Sequence, residues 1–196
     1  HTTAEGIFTE PGGACTSLIA ARRLGLDTGF LGIAGDDRYG HEAMEILAGE
    51  GVDTTLAVMA PEQTTCLCIV VTDEQGQHVF LEIPGRGPQL PCPTRWQGAL
   101  RASKAMLTFG TALRKMLIPA TLIDLMRGCR QNQTTVFFDP TFSIHWIDRD
   151  VLNRAVAATD VLLLTIEEAR YVAAGADPFE IGRQLLALGP QVVVLK

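Results

Sequence analysis

Thr134-Thr135-Val136-Phe137-Phe138-Asp139-Pro140, and after it Val161-Leu162-Leu163-Leu164-Thr165-Ile166-Glu167-Glu168-Ala169, are the stretches whose reading decides the fold. Each is a short apolar run, too short for a buried helix, that breaks into polar residues and then into helical periodicity. Working outward, the same alternation repeats. Strands are expected over 105–109, 134–138, 161–164 and 192–195, with helices over 119–130, 149–158, 166–174 and 178–188 between them. Apolar strands spaced by amphipathic helices imply right-handed βαβ crossovers and a mainly parallel sheet covered by helices on both faces, an α/β fold of three layers.

The first half reads differently. Gly12-Gly13 precedes a run of helix formers over 14–24 that ends at Gly25, and a strand is expected over 28–33. Gly35-Asp36-Asp37 reads as a turn before a helix over 41–48, and Gly51 stops that helix. Two apolar segments, 65–71 and 78–83, flank Thr72-Asp73-Glu74-Gln75-Gly76-Gln77 and form a β-hairpin. Residues 84–93 hold four prolines and two glycines and are expected to be a loop.

Composition narrows the function classes. At 196 residues the chain fits one domain with a real core, and no apolar run approaches the roughly 18 residues of a membrane span. A net charge of −6 with no Lys/Arg cluster argues against a nucleic-acid partner. Five cysteines without a C-x-x-C pair read as reduced thiols in a reducing compartment, the cytoplasm. His1-Thr2-Thr3-Ala4-Glu5 is not a signal peptide, and the β-branched run 192–195 stops with no turn after it. The native chain is therefore expected to extend beyond both ends.

No G-x-G-x-x-G opens a helix after a strand, and there is no P-loop, no G-x-S-x-G and no H-E-x-x-H. In an open parallel sheet the ligand site lies at the carboxyl ends of the strands. That rule selects Gly35-Asp36-Asp37, Phe109-Gly110, Asp139-Pro140 and Thr165 with Glu168. Each also has a purely structural reading: Gly12-Gly13 as a turn, Asp37 as a helix cap, and Thr165 with Glu168 as a capping box.

In order and spacing, Pro11-Gly12-Gly13-Ala14-Cys15-Thr16, Ala20-Ala21-Arg22-Arg23-Leu24-Gly25, Gly35-Asp36-Asp37-Arg38-Tyr39-Gly40 and Glu50-Gly51-Val52-Asp53 form one series. Thr64-Thr65, Gly85 with Gly87, Phe138-Asp139-Pro140 and Thr165-Ile166-Glu167-Glu168-Ala169 continue it. The series resembles the ribokinase-like (PfkB) carbohydrate kinases from about residue 7 to residue 196. The resemblance implies one truncated kinase domain over 1–196, with a small β lid built from residues near 7–10 and 65–83. It implies transfer of the ATP γ-phosphoryl, with Mg²⁺, to a hydroxyl of a small sugar or sugar-like substrate. A nucleoside kinase of the same fold and a non-catalytic sugar-binding homologue remain as alternatives.

By the same resemblance Gly12, Gly13, Thr16, Gly35, Asp36, Thr65 and Asp139 contact the substrate, and Thr165 and Glu168 lie at the metal and phosphate periphery. The catalytic base belongs to a G-A-G-D motif that does not occur between His1 and Lys196, so this chain is expected to be inactive alone. A homodimer through the lid is a further implication, with Cys66, Cys68 and Val70 as its exposed face. Three positions depart from the family pattern: Thr16 and Thr165 stand where Asn is usual, and Thr141 where Asn is frequent.

Overall fold

The computed structural model describes Gly6 and residues 8–196. The chain forms two compact units, His1–Pro88 and Gln89–Lys196.

In the first unit, helix α1 (Ala14–Arg23) is followed by strand β1 (Ile33–Gly35), helix α2 (Arg38–Gly49) and strand β2 (Val58–Ala60). β1 and β2 pair in parallel, with Ile33 opposite Val58 and Gly35 opposite Ala60. Ile33, Ala34, Leu47, Val52 and Ala60 form the small core of this unit. The strand expected over 28–33 is largely absent: a single bridge joins Gly29 to Asp53, and regular pairing begins only at Ile33. The cause is local, since a Cβ on Gly32 would lie 2.2 Å from the ring of Phe30, which folds back over the backbone there. Helix α2 starts three residues earlier than expected, at Arg38, because Asp37 caps it.

Strands β3 (Leu67–Thr72) and β4 (His78–Ile83) form the expected antiparallel hairpin, closed by Asp73, whose side chain accepts from the N–H groups of Gln75 and Gln77. It pairs with no other strand among the described residues. Alternation gives it one face of Leu67, Ile69, Val71, Val79, Leu81 and Ile83 and another of Cys68, Val70, Thr72, His78, Phe80 and Glu82. The uniformly aliphatic face is therefore the one opposite Cys68 and Val70, and Cys66, Cys68 and Val70 are themselves exposed, as expected from sequence. Of the other expected lid element, Ile7 lies outside the described residues, and residues 8–10 form no regular structure.

The second unit contains helix α3 (Arg95–Ala102), β5 (Ala105–Phe109), a π-helical turn (Ala112–Met116), α4 (Pro119–Gln131) and β6 (Thr135–Asp139). A 3₁₀ turn (Phe142–His145), α5 (Arg149–Ala157), β7 (Val161–Leu164), α6 (Ile166–Val172), α7 (Pro178–Leu186) and β8 (Val192–Leu195) follow. The four strands are parallel in the order β5-β6-β7-β8. Every crossover moves one place in the same direction, so right-handedness puts all the crossover helices on one face. That face buries Met106, Val136, Phe138, Leu162 and Leu164 against Leu122, Ile123, Met126, Leu152 and Ile181. The other face carries Leu107, Val192 and Val194, which stay 39 to 48% exposed.

Glycine is demanded where β5 ends. A Cβ on Gly110 would lie 2.0 Å from the carbonyl oxygen of Pro140, whereas one on Gly128, inside α4, would meet nothing within 4 Å. Gly110→Ala is expected to destabilise the chain by about 1–3 kcal/mol through overpacking. Gly128→Ala is expected to be neutral or to stabilise by up to about 1 kcal/mol through helix propensity. Urea unfolding followed by the fluorescence of buried Trp96 measures both, and equal effects would contradict the packing described at Gly110.

The first unit hangs on Asp37. Its Oδ1 accepts from Gly40 N at 2.9 Å and from the Thr65 hydroxyl at 2.8 Å, and its Oδ2 accepts from Thr65 N at 2.7 Å. Burial pushes the Asp37 carboxyl up, but these hydrogen bonds outweigh it and hold it below the usual carboxylate range. A folded-state pKa below the unfolded one means the contribution is complete above about pH 4 and is lost as pH falls through the folded value. Asp37→Ala is expected to cost roughly 2 kcal/mol at pH 7. Asp37→Asn is expected to flatten the acid limb of the stability curve; thermal unfolding between pH 2 and 7 checks it, and an unchanged limb would refute the assignment.

Candidate functional site

The positions selected from sequence fall into two groups, one in each unit. In the first unit, Gly12 and Gly13 are exposed at the start of α1, and Gly13 has φ of +59°, a conformation that glycine adopts without cost. No side chain crowds either one. Thr16 is exposed on the first turn of the same helix.

Gly35 differs: it is buried, and a Cβ there would lie 2.6 Å from both Gln63 O and Thr65 N. Its N–H donates to the Thr65 hydroxyl oxygen at 3.1 Å. Thr65 therefore gives its only hydroxyl proton to Asp37 and one lone pair to Gly35, leaving a single acceptor position for anything else. Asp36 is exposed and pairs with His41 Nε2 at 2.7 Å. The structure thus brings Gly35, Asp37 and Thr65 into one hydrogen-bonded knot. His41 was not singled out from sequence; its only signal was its place one turn into the helix that Asp37 opens.

In the second unit the parallel sheet sets the carboxyl ends of β6, β7 and β8 side by side. Asp139 ends β6, almost buried, and its Oδ2 accepts from Lys196 Nζ at 3.0 Å while its Oδ1 accepts from Thr141 N at 2.9 Å. Lys196 lies just beyond β8, held by reciprocal backbone bonds: its N–H donates to Leu164 O and its carbonyl accepts from Ile166 N. A buried carboxylate needs such a partner. Sequence reading missed Lys196, whose one signal was a cation directly after an apolar strand. Thr141 has φ of +54°, strained for a β-branched residue, and it sits where strain collects at ligand sites.

Thr165 and Glu168 form a full capping box at the start of α6: Glu168 N donates to Thr165 Oγ1 at 3.2 Å, and Thr165 N donates to Glu168 Oε2 at 2.8 Å. The other Glu168 oxygen takes no bond among the described residues. No group of three His, Cys, Asp or Glu side chains suited to a metal occurs among the described residues. The described side chains thus offer no cage of protein ligands for a metal ion. Among the described residues no helix is long and apolar enough to cross a membrane.

Comparison with known proteins agrees with this geometry. Residues 3–196 match the pfkB family carbohydrate kinases. The chain is 28% identical over 173 residues to a fructokinase of Klebsiella pneumoniae, covering 85% of this chain and 56% of that protein. It is 24% identical over 152 residues to a nucleoside kinase of Methanothermobacter thermautotrophicus, covering 77% of this chain and 47% of that one. The crystal structure of a fructokinase with bound ATP from Xylella fastidiosa superposes with a TM-score of 0.79 at 22% identity, over 94% of this chain and 60% of the other. The chain thus matches between 47 and 60% of the length of these relatives. The fold is ribokinase-like, an α/β/α architecture with a mainly parallel sheet. This chain belongs to the pfkB family of carbohydrate kinases.

Proposed function

We propose that the whole protein transfers the γ-phosphoryl group of ATP, with Mg²⁺, to a hydroxyl of a small sugar or sugar-like substrate in the cytoplasm. The observation that carries this reading is the cluster at the strand ends, where Lys196 and Asp139 meet beside the Thr165 and Glu168 cap in a chain of this family. Phosphoryl transfer asks a protein chiefly for positioning and for charge neutralisation. Lys196, oriented by Asp139, supplies positive charge at the strand ends, and the second oxygen of Glu168 would contact Mg²⁺ through water. Mg²⁺, when bound, neutralises the phosphate oxygens. Gly12, Gly13, Thr16, Gly35, Asp36 and Thr65 receive the sugar, with the unoccupied hydroxyl capacity of Thr16 replacing the amide of the usual Asn.

None of the three aspartates at the candidate positions is left as a free general base. Asp36 is paired with His41, Asp37 with Thr65 and Gly40, and Asp139 with Lys196. Purified alone, the 196-residue chain is expected to release ADP from Mg-ATP at least about 100-fold more slowly than a whole fructokinase relative, with ribose, fructose, ketodeoxygluconate and adenosine as acceptors. Turnover within tenfold of that control would overturn the assignment of the base. A second reading, nucleoside phosphorylation, is favoured by the similarity to the Methanothermobacter nucleoside kinase; preferential use of adenosine by the whole protein would select it.

The lid is read as the homodimer contact. The aliphatic face of the hairpin exposes Ile69, Val71, Val79, Leu81 and Ile83 to between 47 and 61%, which is a continuous apolar surface on one side of a two-stranded ribbon. A second copy covers it. Sedimentation at micromolar concentration is expected to show a dimer that Leu81→Glu converts to monomer with an unchanged circular dichroism spectrum; a monomeric wild type would refute this contact.

A further inference from the structure

A cavity of about 330 Å³ opens at the root of the hairpin, lined by Asp37, Arg38 and Tyr39 from the start of α2, by Thr64 and Thr65 ahead of β3, and by Arg86 after β4. Its charge is unusual. The one carboxylate on its wall, Asp37, already takes three hydrogen bonds from Gly40 and Thr65. The guanidiniums of Arg38 and Arg86 have no ion pair or hydrogen bond among the described residues. Arg22, Arg23 and Arg130 are each paired with a carboxylate, whereas Arg101, Arg170 and Arg183 show none among the described residues but do not line this cavity. On a chain with a net charge of −6, two arginines without a carboxylate partner among the described residues line one cavity.

The position of Arg38 breaks a local rule. It is the first residue of α2, where the helix dipole favours acidic side chains, and that first turn has none. An anion in the cavity would satisfy the guanidinium and the dipole together. Thr64 adds a donor: its oxygen accepts from Arg86 N at 2.8 Å, so its own proton remains available. Arg86 is held in place at the same time, since Thr64 N donates to Arg86 O. Planar guanidinium forks match carboxylate and phosphate oxygens and gain little from a neutral hydroxyl.

We propose that this cavity seats an anionic group of the substrate, a carboxylate or a phosphate, between Arg38 and Arg86, so that the acceptor is a sugar acid or a sugar phosphate and not a neutral sugar. This rests on the sugar kinase reading and narrows its substrate class. Calorimetric titration of the 196-residue chain with fructose, gluconate and fructose 6-phosphate tests it, the last two separating carboxylate from phosphate. At least one of the two anions is expected to bind about tenfold or more tighter than fructose, with an advantage that shrinks as salt rises. Arg38→Gln and Arg86→Gln are expected to remove that advantage while leaving fructose binding as it was. Because Arg38→Gln also relieves an unfavourable charge at a helix start, its melting temperature should equal or exceed the wild type, which separates lost binding from lost folding. Equal affinity for fructose and the anions, or variants that keep the preference, would overturn the anionic seat alone. Failure of a folded chain to bind any of the three would overturn both the seat and the sugar site on which it rests.

Discussion

Three hydrogen bonds converge on the Asp37 carboxylate, and the first unit is organised around them. One fixes the start of α2 through Gly40. The other two fix Thr65, from which the hairpin leaves. Thr65 in turn receives the N–H of Gly35 at the end of β1, so strand, helix and hairpin root meet at one residue pair. Such a meeting point leaves no room for side chains. A Cβ on Gly40 would lie 2.1 Å from Gly35 O, and one on Gly85 would lie 2.3 Å from Thr64 O. Of the candidate glycines, Gly35 is therefore first of all a packing requirement, whereas a Cβ on Gly12 or Gly13 would meet nothing within 4 Å.

The second unit obeys a different constraint. Right-handed crossovers advancing in one direction put the carboxyl ends of all four strands at one edge and the helices on one face. The edge position of Asp139 then follows from topology, as does the arrival of Lys196 two strands away. Gly110 belongs to the same economy of space, since it lets β5 end against Pro140 and so sets where the Asp139 to Thr141 segment turns. Thr141 takes up the strain of that turn, with its side chain accepting from Ser143 N to start the next short helix.

Much of this was legible in the residues. β5, β7 and β8 appear at the bounds their apolar runs imply, because each run is fenced by polar residues and no other element competes for it. Asp37 as a cap and Thr165 with Glu168 as a capping box were also legible, since capping depends on neighbours within three residues. β2 was not, because Val58-Met59-Ala60 is too short to show alternation. Helix α3 was missed because only Trp96 and Leu100 mark its buried side, among Gln97, Gly98 and Arg101. What sequence could not show was partnership at a distance. The Thr65 contact to Asp37 spans 28 positions and the Lys196 contact to Asp139 spans 57, and both exist only once register and topology are fixed.

Those long-range pairs change the chemical reading of the acidic positions. From composition alone, Asp36, Asp37, Asp139 and Glu168 look like four carboxylates available for proton transfer or metal binding. In the folded chain each is committed: to His41, to Thr65 and Gly40, to Lys196 and Thr141, and to the Thr165 cap. A carboxylate that accepts several hydrogen bonds is stabilised in its charged form and is a poor base, as the lowered pKa of Asp37 illustrates. Near these positions Arg38 and Arg86 have no carboxylate partner among the described residues of one unit, and the Lys196 ammonium, 52% exposed, can still donate beyond Asp139 in the other. Abstracting a proton from a hydroxyl needs a desolvated and unpaired carboxylate, which none of these four positions supplies.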